Sequence, residues 1–274
     1  MDNPFWQEVI QNKYAIPSGH TVANLTSELF SYLGSTDPEL RDEIAYIVYA
    51  NWLKMGMYTQ ESIHEHIAVL TANLVSGIGE RDTDSVFLRS FSVLFLAEIV
   101  HNDNKNPKLN AATIKKLVDK ALWFLENEKD PRGYVPAKGW AHALAHTADL
   151  LAVLAKNQHT DADQHLGMLN GITAKLANAD DWVYLHGEDD RLAAAALSIF
   201  QRGLVKVETI QAWLGSLTDN WKGAWTDEAR TRAFFNLRNF TRSLSLQVTM
   251  EEEFPDKDRL EKAVLECIQN LRPY

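Results

Sequence analysis

The sequence predicts an all-α protein, and three observations carry that prediction. Apolar residues recur at helical spacing through most of the 274 residues, while strand-like alternation is almost missing. Helix-starting Asp, Asn and Thr residues and helix-ending glycines punctuate the chain at short intervals. One stretch, Gly139-Trp140-Ala141-His142-Ala143-Leu144-Ala145-His146-Thr147-Ala148-Asp149-Leu150-Leu151-Ala152-Val153-Leu154, is small or apolar almost all the way round, the pattern of a helix packed on nearly every side.

The elements follow from that punctuation. Two N-terminal helices are expected near 5–13 and 18–33. Asp37-Pro38-Glu39 supplies an N-cap, a first-turn proline and an acidic first turn for a helix running towards Gly56. Thr59-Gln60-Glu61 opens a helix that ends near Gly77 and Gly79, and Asp84-Ser85 precedes an apolar run over 86–101. Asn110 caps a helix ending around Glu128, and Asp130-Pro131-Arg132-Gly133 forms a turn before the Ala-rich helix. Further helices are predicted over about 161–177, 188–202, 207–217 and 226–248, with a last one after Pro255-Asp256. Helix starts at Asp37, Asp84, Gly139, Gly187 and Thr226 enclose two helices each, at intervals of 47, 55, 48 and 39 residues. Pairs of that size suit a HEAT/armadillo-like α-α superhelix of about 12 helices, stacked as antiparallel pairs. No low-complexity linker divides the chain, so 1–274 is expected to be a single all-helical domain.

Composition limits the function classes. Lys+Arg number 27 against Asp+Glu 37, a formal net charge of -10, which argues against a dedicated nucleic-acid or anionic-membrane partner. With Cys267 as the one cysteine, no internal disulfide and no CxxC metal site can form. The first residues carry no basic-then-apolar signal, and the most apolar run, 86–100, contains Arg89, Ser90, Ser92 and Glu98 and is expected to fall short of a membrane span. A cytoplasmic location is therefore expected. Phosphate loops, a GxSxG elbow, a kinase set and a dinucleotide fingerprint are all missing.

The polar residues that interrupt apolar helices are the candidate site. His142, His146 and Asp149 fall on one stripe of the Ala-rich helix, and buried polar groups need partners. Histidines at i and i+4 can chelate a metal, with Asp149 orienting a ring and His186, Glu188 or Asp190 as a further ligand. The same stripe also suits a metal-free ligand site or a hydrogen-bonded network between helices, and no cofactor is required. Gly187-Glu188-Asp189-Asp190-Arg191 reads as a helix start whose dipole favours acids, or as the carboxylate side of a site. Arg89, inside Phe87-Leu88-Arg89-Ser90-Phe91, calls for a buried carboxylate (the Glu188–Asp190 cluster is one candidate) or an anionic ligand. Arg232, Asn236, Asn239 and Ser243 share a stripe that is either a required polar surface or a solvated helix face. Arg132, Tyr134 and Lys138 stand at a cleft mouth or in an ordinary turn, and His64-Glu65-His66 reads as a surface segment. Trp52, Trp123, Trp182, Trp213, Trp221 and Trp225 read as packing residues.

The string Arg132-Gly133-Tyr134-Val135, Lys138-Gly139-Trp140-Ala141-His142 and His146-Thr147-Ala148-Asp149-Leu150-Leu151 resembles the most recognisable segment of an uncharacterised all-helical bacterial family, a domain of unknown function. Arg89-Ser90-Phe91-Ser92-Val93-Leu94, Glu188-Asp189-Asp190-Arg191-Leu192-Ala193 and Asn236-Leu237-Arg238-Asn239-Phe240 are similar to further segments of it. The resemblance implies a bacterial cytoplasmic protein with an all-α fold and supplies no reaction.

Because Arg89, the His142 stripe, the Glu188–Asp190 turn and the Asn236 stripe lie on alternate helices, they are expected to line one layer of a stacked array. The leading expectation is a binding module gripping a small polar or peptide ligand in a concave cleft. A hydrolase with a histidine base or a His/carboxylate metal site is the rival, and a scaffold whose polar stripes only fix helix register is the third reading.

Overall fold

Twelve α-helices and one short hairpin form the regular structure among the described residues, 1, 3–178, 181–218 and 226–271, of the computed structural model. In chain order these are α1 (Asn3–Gln11), α2 (Val22–Ser31), a π-helical segment (Glu39–Tyr46) that runs straight into α3 (Ile47–Lys54), α4 (Gln60–Asn73), α5 (Ser85–Lys105) and α6 (Ala111–Asn127). The antiparallel hairpin β1 (Tyr134–Val135) and β2 (Gly139–Trp140) follows, and then α7 (Ala143–Lys156), α8 (Ala162–Ala177), α9 (Glu188–Arg202), α10 (Val207–Ser216), α11 (Glu228–Met250) and α12 (Lys257–Asn270). The fold is all-α, as the helical spacing predicts. Trp221 and Trp225 lie outside the described residues.

Many of the predicted starts are real caps. The second helix, expected from about residue 18, is capped instead at Thr21, which forms a reciprocal capping box with Asn24 at 3.2 and 3.0 Å. Thr59 accepts from the Ser62 amide at 3.1 Å, Asn110 from Thr113 at 2.9 Å, and Asp161 from Gln164 at 2.8 Å. Asp84 is different: its carboxylate makes no cap and instead takes Lys138 Nζ at 2.7 and 2.8 Å.

The described residues separate into two compact units, Met1–Leu109 with Glu128–His146, and Asn110–Asn127 with Thr147–Tyr274. In the first unit α5 is the central element, with 13 of its 21 residues buried. The sequence reading put no apolar run near membrane-spanning length. α5 in fact continues to Lys105 and is long and apolar enough to cross a membrane, yet 67% of its most apolar window is buried inside the protein, as befits a core helix. α4 and α3 pack against it. Trp6, Trp52, Tyr49 and Phe95 fill the space beside them, with Trp52 Nε1 donating to the Tyr14 carbonyl at 2.8 Å.

Arg41, on the π-helical segment, has no exposed surface. Its guanidinium carbon sits 4.3 and 4.6 Å from the ring centroids of Phe87 and Phe91, and its nitrogens reach the Ser35 carbonyl at 2.6 Å, the Lys138 carbonyl at 2.9 Å and Asp42 Oδ1 at 2.8 Å. Burial pulls its pKa below the ordinary arginine value while Asp42 pulls it back. The hairpin approaches this arginine so closely that only glycine fits at position 139. There φ is +78°, and an added Cβ would lie 2.9 Å from Pro38 Cβ and 3.0 Å from an Arg41 nitrogen.

In the second unit α9 packs on α11, α6 on α8, and α10 on α12, so next-but-one helices are close neighbours. Gly167 and Gly171, one turn apart on α8, let α6 approach: a Cβ at Gly171 would stand 3.2 Å from both Leu122 and Leu125. Trp213 joins α10 to α8 by donating to Thr173 Oγ1 at 2.8 Å, and it lies edge-on to Phe200 and Phe240.

Gly139→Ala is expected to lower the unfolding free energy by about 2–4 kcal/mol, combining backbone strain with overpacking against Arg41. Gly79→Ala, where φ is also positive but the surroundings are open, should cost only the strain. Urea denaturation of both variants checks this, and equal losses would remove the steric part of the argument.

Candidate functional site

Among the sequence candidates, Arg89, Arg132, Lys138, His142 and His146 belong to the first unit, and Asp149, His186, Glu188, Asp190, Asn236 and Asn239 to the second. In the first unit the charged members are joined to protein partners. Arg89 is fully buried and its carboxylate is Glu128, not the Glu188–Asp190 cluster. The pair is bidentate at 2.6 and 3.1 Å, and the remaining donor reaches the Ser76 carbonyl at 2.9 Å and Ser85 Oγ at 2.8 Å. Glu128 also accepts from the Asp130 amide at 2.9 Å. Asp130 in turn receives the Asp82 amide at 3.0 Å and the Arg132 guanidinium at 2.6–3.1 Å, while Arg132 caps the Thr83 carbonyl at 2.6 Å. Asp130 holds the Arg132 pKa above its ordinary value. The turn 130–133 is thus a chain of charge-assisted bonds.

The Ala-rich segment is shorter than the sequence suggests. Its helix begins at Ala143; Gly139 and Trp140 are strand, and His142 has φ +51° just outside the first turn. His142 and His146 are therefore not an i, i+4 pair within one helix, although their ring centroids remain 5.9 Å apart. His142 stacks on Trp140 at 4.3 Å and 22°, and Trp140 meets Tyr134, its cross-strand partner, edge-on at 5.1 Å. The expectation that this segment is packed on nearly every side holds: 141–148 are all buried. His146 Nδ1 lies 2.8 Å from Ser90 Oγ and 3.3 Å from the Ser90 carbonyl. The Ser90 hydroxyl donates its single proton to the Ala141 carbonyl, so Nδ1–H donates to Ser90 Oγ. That arrangement orients the imidazole and leaves the hydroxyl without the base contact of a nucleophile.

In the second unit Asp149 is ion-paired with Arg191. Asn236, expected on a polar face, is buried and clamps the 182–184 segment: it accepts from the Tyr184 amide at 2.9 Å and donates to the Trp182 carbonyl at 3.0 Å. Asn239 is half-buried two positions from Thr241. Ser243 donates to Asp189 at 3.1 Å, and Gln247 to the Asp190 carbonyl at 2.9 Å, joining α11 to the first turn of α9. Glu188 is buried; one oxygen accepts from the His186 amide at 2.8 Å, the other has no hydrogen-bond partner, and burial raises its pKa. Among the described residues no three His, Cys, Asp or Glu side chains come together as a metal site.

A cleft that the sequence reading did not anticipate lies in the first unit. It has a volume of about 430 Å³. Val22, Thr26 and Phe30, spaced four apart, form its α2 wall, and Ser62, His66 and Val69 its α4 wall. Tyr58 lies beside Thr26, their hydroxyls 2.9 Å apart. His66 is no surface residue: its ring packs edge-on against Phe30 and Tyr58 at 5.1 and 4.8 Å, and Nδ1 is 3.1 Å from the Tyr49 hydroxyl. Burial lowers its pKa to about 4. The signal was in the sequence, since 22/26/30 and 62/66/69 are both helical stripes, but the flanking charges of 64–66 concealed it.

Residues 74–246 match the sequence model of a family described as "Protein of unknown function (DUF2785)". The chain belongs to this family. No curated protein and no solved structure matches it. The DUF2785 segment contains all ten candidate ligand residues drawn from the sequence, whereas the cleft, built from 22–69, precedes it.

Two outcomes follow. Glu128→Ala should destabilise the protein by about 3–5 kcal/mol, because it strands the buried Arg89 charge, while the double change Glu128→Ala/Arg89→Met should recover part of that loss in a denaturant titration. His66 and His165, both with pKa lowered from 6.5 to about 4 mainly by burial, take up protons more readily unfolded than folded. Stability is thus complete above about pH 6.5 and falls as pH drops towards 4. Melting temperatures at pH 7.5 and 5 check this, and a His66→Gln/His165→Gln variant should flatten the slope.

Proposed function

We propose that this chain is a cytoplasmic binding module, one all-helical domain over 1–274 whose helix pairs are of the repeat kind, and that its ligand seat is the cleft between α2 and α4. The observation that carries this reading is the cleft itself: its volume of about 430 Å³ is in the range of small-molecule sites, and its lining mixes apolar side chains such as Val22, Phe30 and Val69 with hydroxyls and the His66 ring. The charged candidates Arg89, Arg132 and Lys138 support a different role, as internal ties, since each is bonded to a carboxylate of its own unit. The rival hydrolase with a histidine base gains little support from His146, whose Nδ1 is engaged with Ser90.

The test is a fragment screen by ligand-observed NMR on the full chain and on Ala23→Trp, which fills the cleft from an exposed wall position. Fragments that bind the native chain should lose at least tenfold in affinity with the variant. Hits that bind both proteins alike would move the ligand seat elsewhere.

A further inference from the structure

Resting on the reading of the cleft as a ligand seat, the hydrogen-bond bookkeeping of its walls identifies what would occupy it. Tyr49 is fully buried, and its hydroxyl contacts His66 Nδ1. If that nitrogen carried the ring proton, the tyrosine O–H would be buried with no acceptor, at a cost that the alternative tautomer avoids. Nδ1 is therefore the acceptor, and the proton of the neutral ring sits on Nε2. The Thr26 and Tyr58 hydroxyls hold two protons between them and share one hydrogen bond, so one O–H is left to offer. Both side chains line the cleft and both are buried.

Ser27 and Ser62 give their protons to the Ala23 and Thr59 carbonyls, and Thr59 gives its own to Ser62 Oγ, so the cleft presents two neutral donors, a ring N–H and a hydroxyl, beside Val22, Phe30, Met57 and Val69. Among its described lining residues there is no Lys or Arg, so an anion finds no counter-charge, and Glu65, exposed at the edge, repels one. A cation is attracted to Glu65 only at the exposed edge, and inside the cleft it would meet the positive ends of both donors. We propose that the cleft binds a small uncharged molecule with an aromatic body and a single accepting oxygen, such as a carbonyl, held by His66 Nε2–H and the Thr26–Tyr58 hydroxyl pair. Planar aromatic bodies suit the edge-on rings of Phe30, Tyr58 and His66, whose quadrupoles favour offset or edge contacts.

Three probes of one shape separate the charge classes: acetophenone, benzoate and benzylammonium, titrated at pH 7.5 against the full chain and against Ala23→Trp by saturation-transfer NMR. Acetophenone should bind at least tenfold tighter than either ion, and Ala23→Trp should abolish its signal. Thr26→Val/Tyr58→Phe, close to isosteric at both positions, should weaken it by about three- to tenfold by removing the free O–H together with its partner. His66→Phe should do the same, and far-UV circular dichroism of both variants verifies that they are folded. If benzoate or benzylammonium binds the cleft as well as acetophenone, the ligand class is overturned while the binding reading stands. If Thr26→Val/Tyr58→Phe and His66→Phe, both folded, leave acetophenone unchanged, the donor assignment is overturned. If no probe and no screened fragment is sensitive to Ala23→Trp, the cleft is not a ligand seat and both readings fall together.

Discussion

A guanidinium with no exposure to water must find its counter-charge inside the protein, and Arg89 sets the terms for the first unit. Desolvating an isolated charge costs more than any packing gain can return, so the helix that carries it can be buried only when Glu128 arrives from 39 residues away. The requirement propagates. Glu128 fixes the Asp130 amide, Asp130 fixes Arg132 and the backbone at Asp82, and Arg132 closes on the Thr83 carbonyl. Arg41 does the same work on the neighbouring face of α5, between Phe87 and Phe91, and its bond to the Lys138 carbonyl draws in the hairpin. The two buried arginines and the hairpin glycine are one mutually dependent arrangement.

Much of this was legible in the chain. Thr59, Asn110 and Asp161 announce helices through side chains that cap them, and such local rules depend on only three or four consecutive residues. The packing of 141–148 on all sides followed from their composition alone. That Arg89 needed an anionic partner, a carboxylate or a ligand, was equally legible. Which carboxylate was not, because Glu128 and the 188–190 acids differ only in where the fold puts them. At His142 a related reason applies: a helical wheel assumes the helix already exists at Gly139, whereas that residue, close against Arg41, belongs to the hairpin strand β2 and the helix starts only at Ala143.

The candidate site shows the same division between local and non-local information. Residues chosen because polar side chains are costly in apolar surroundings proved to be held by protein groups, since the cost that drew attention to them is met internally. The cleft between α2 and α4 is not visible in the chain because nothing in it is anomalous in sequence: Val22, Thr26, Phe30 and Val69 are ordinary helix residues, and His66 follows the exposed Glu65. What distinguishes it is an unspent proton, a property that exists only once Tyr49 and Tyr58 are placed beside their partners.

The Asn236 clamp has a consequence of a different kind. A carboxamide presents one acceptor and one donor in a plane, as a peptide group does, and Asn236 turns that pair towards the Tyr184 amide and the Trp182 carbonyl. Residues 182–184 are therefore paired as the edge of a sheet is paired, with a side chain standing in for the missing strand. Asp at this position would keep the acceptor and set a negative oxygen against a carbonyl; Gln would carry the same group one bond too far. A single amide on a helix, rather than the sequence of 182–184, holds these residues in place.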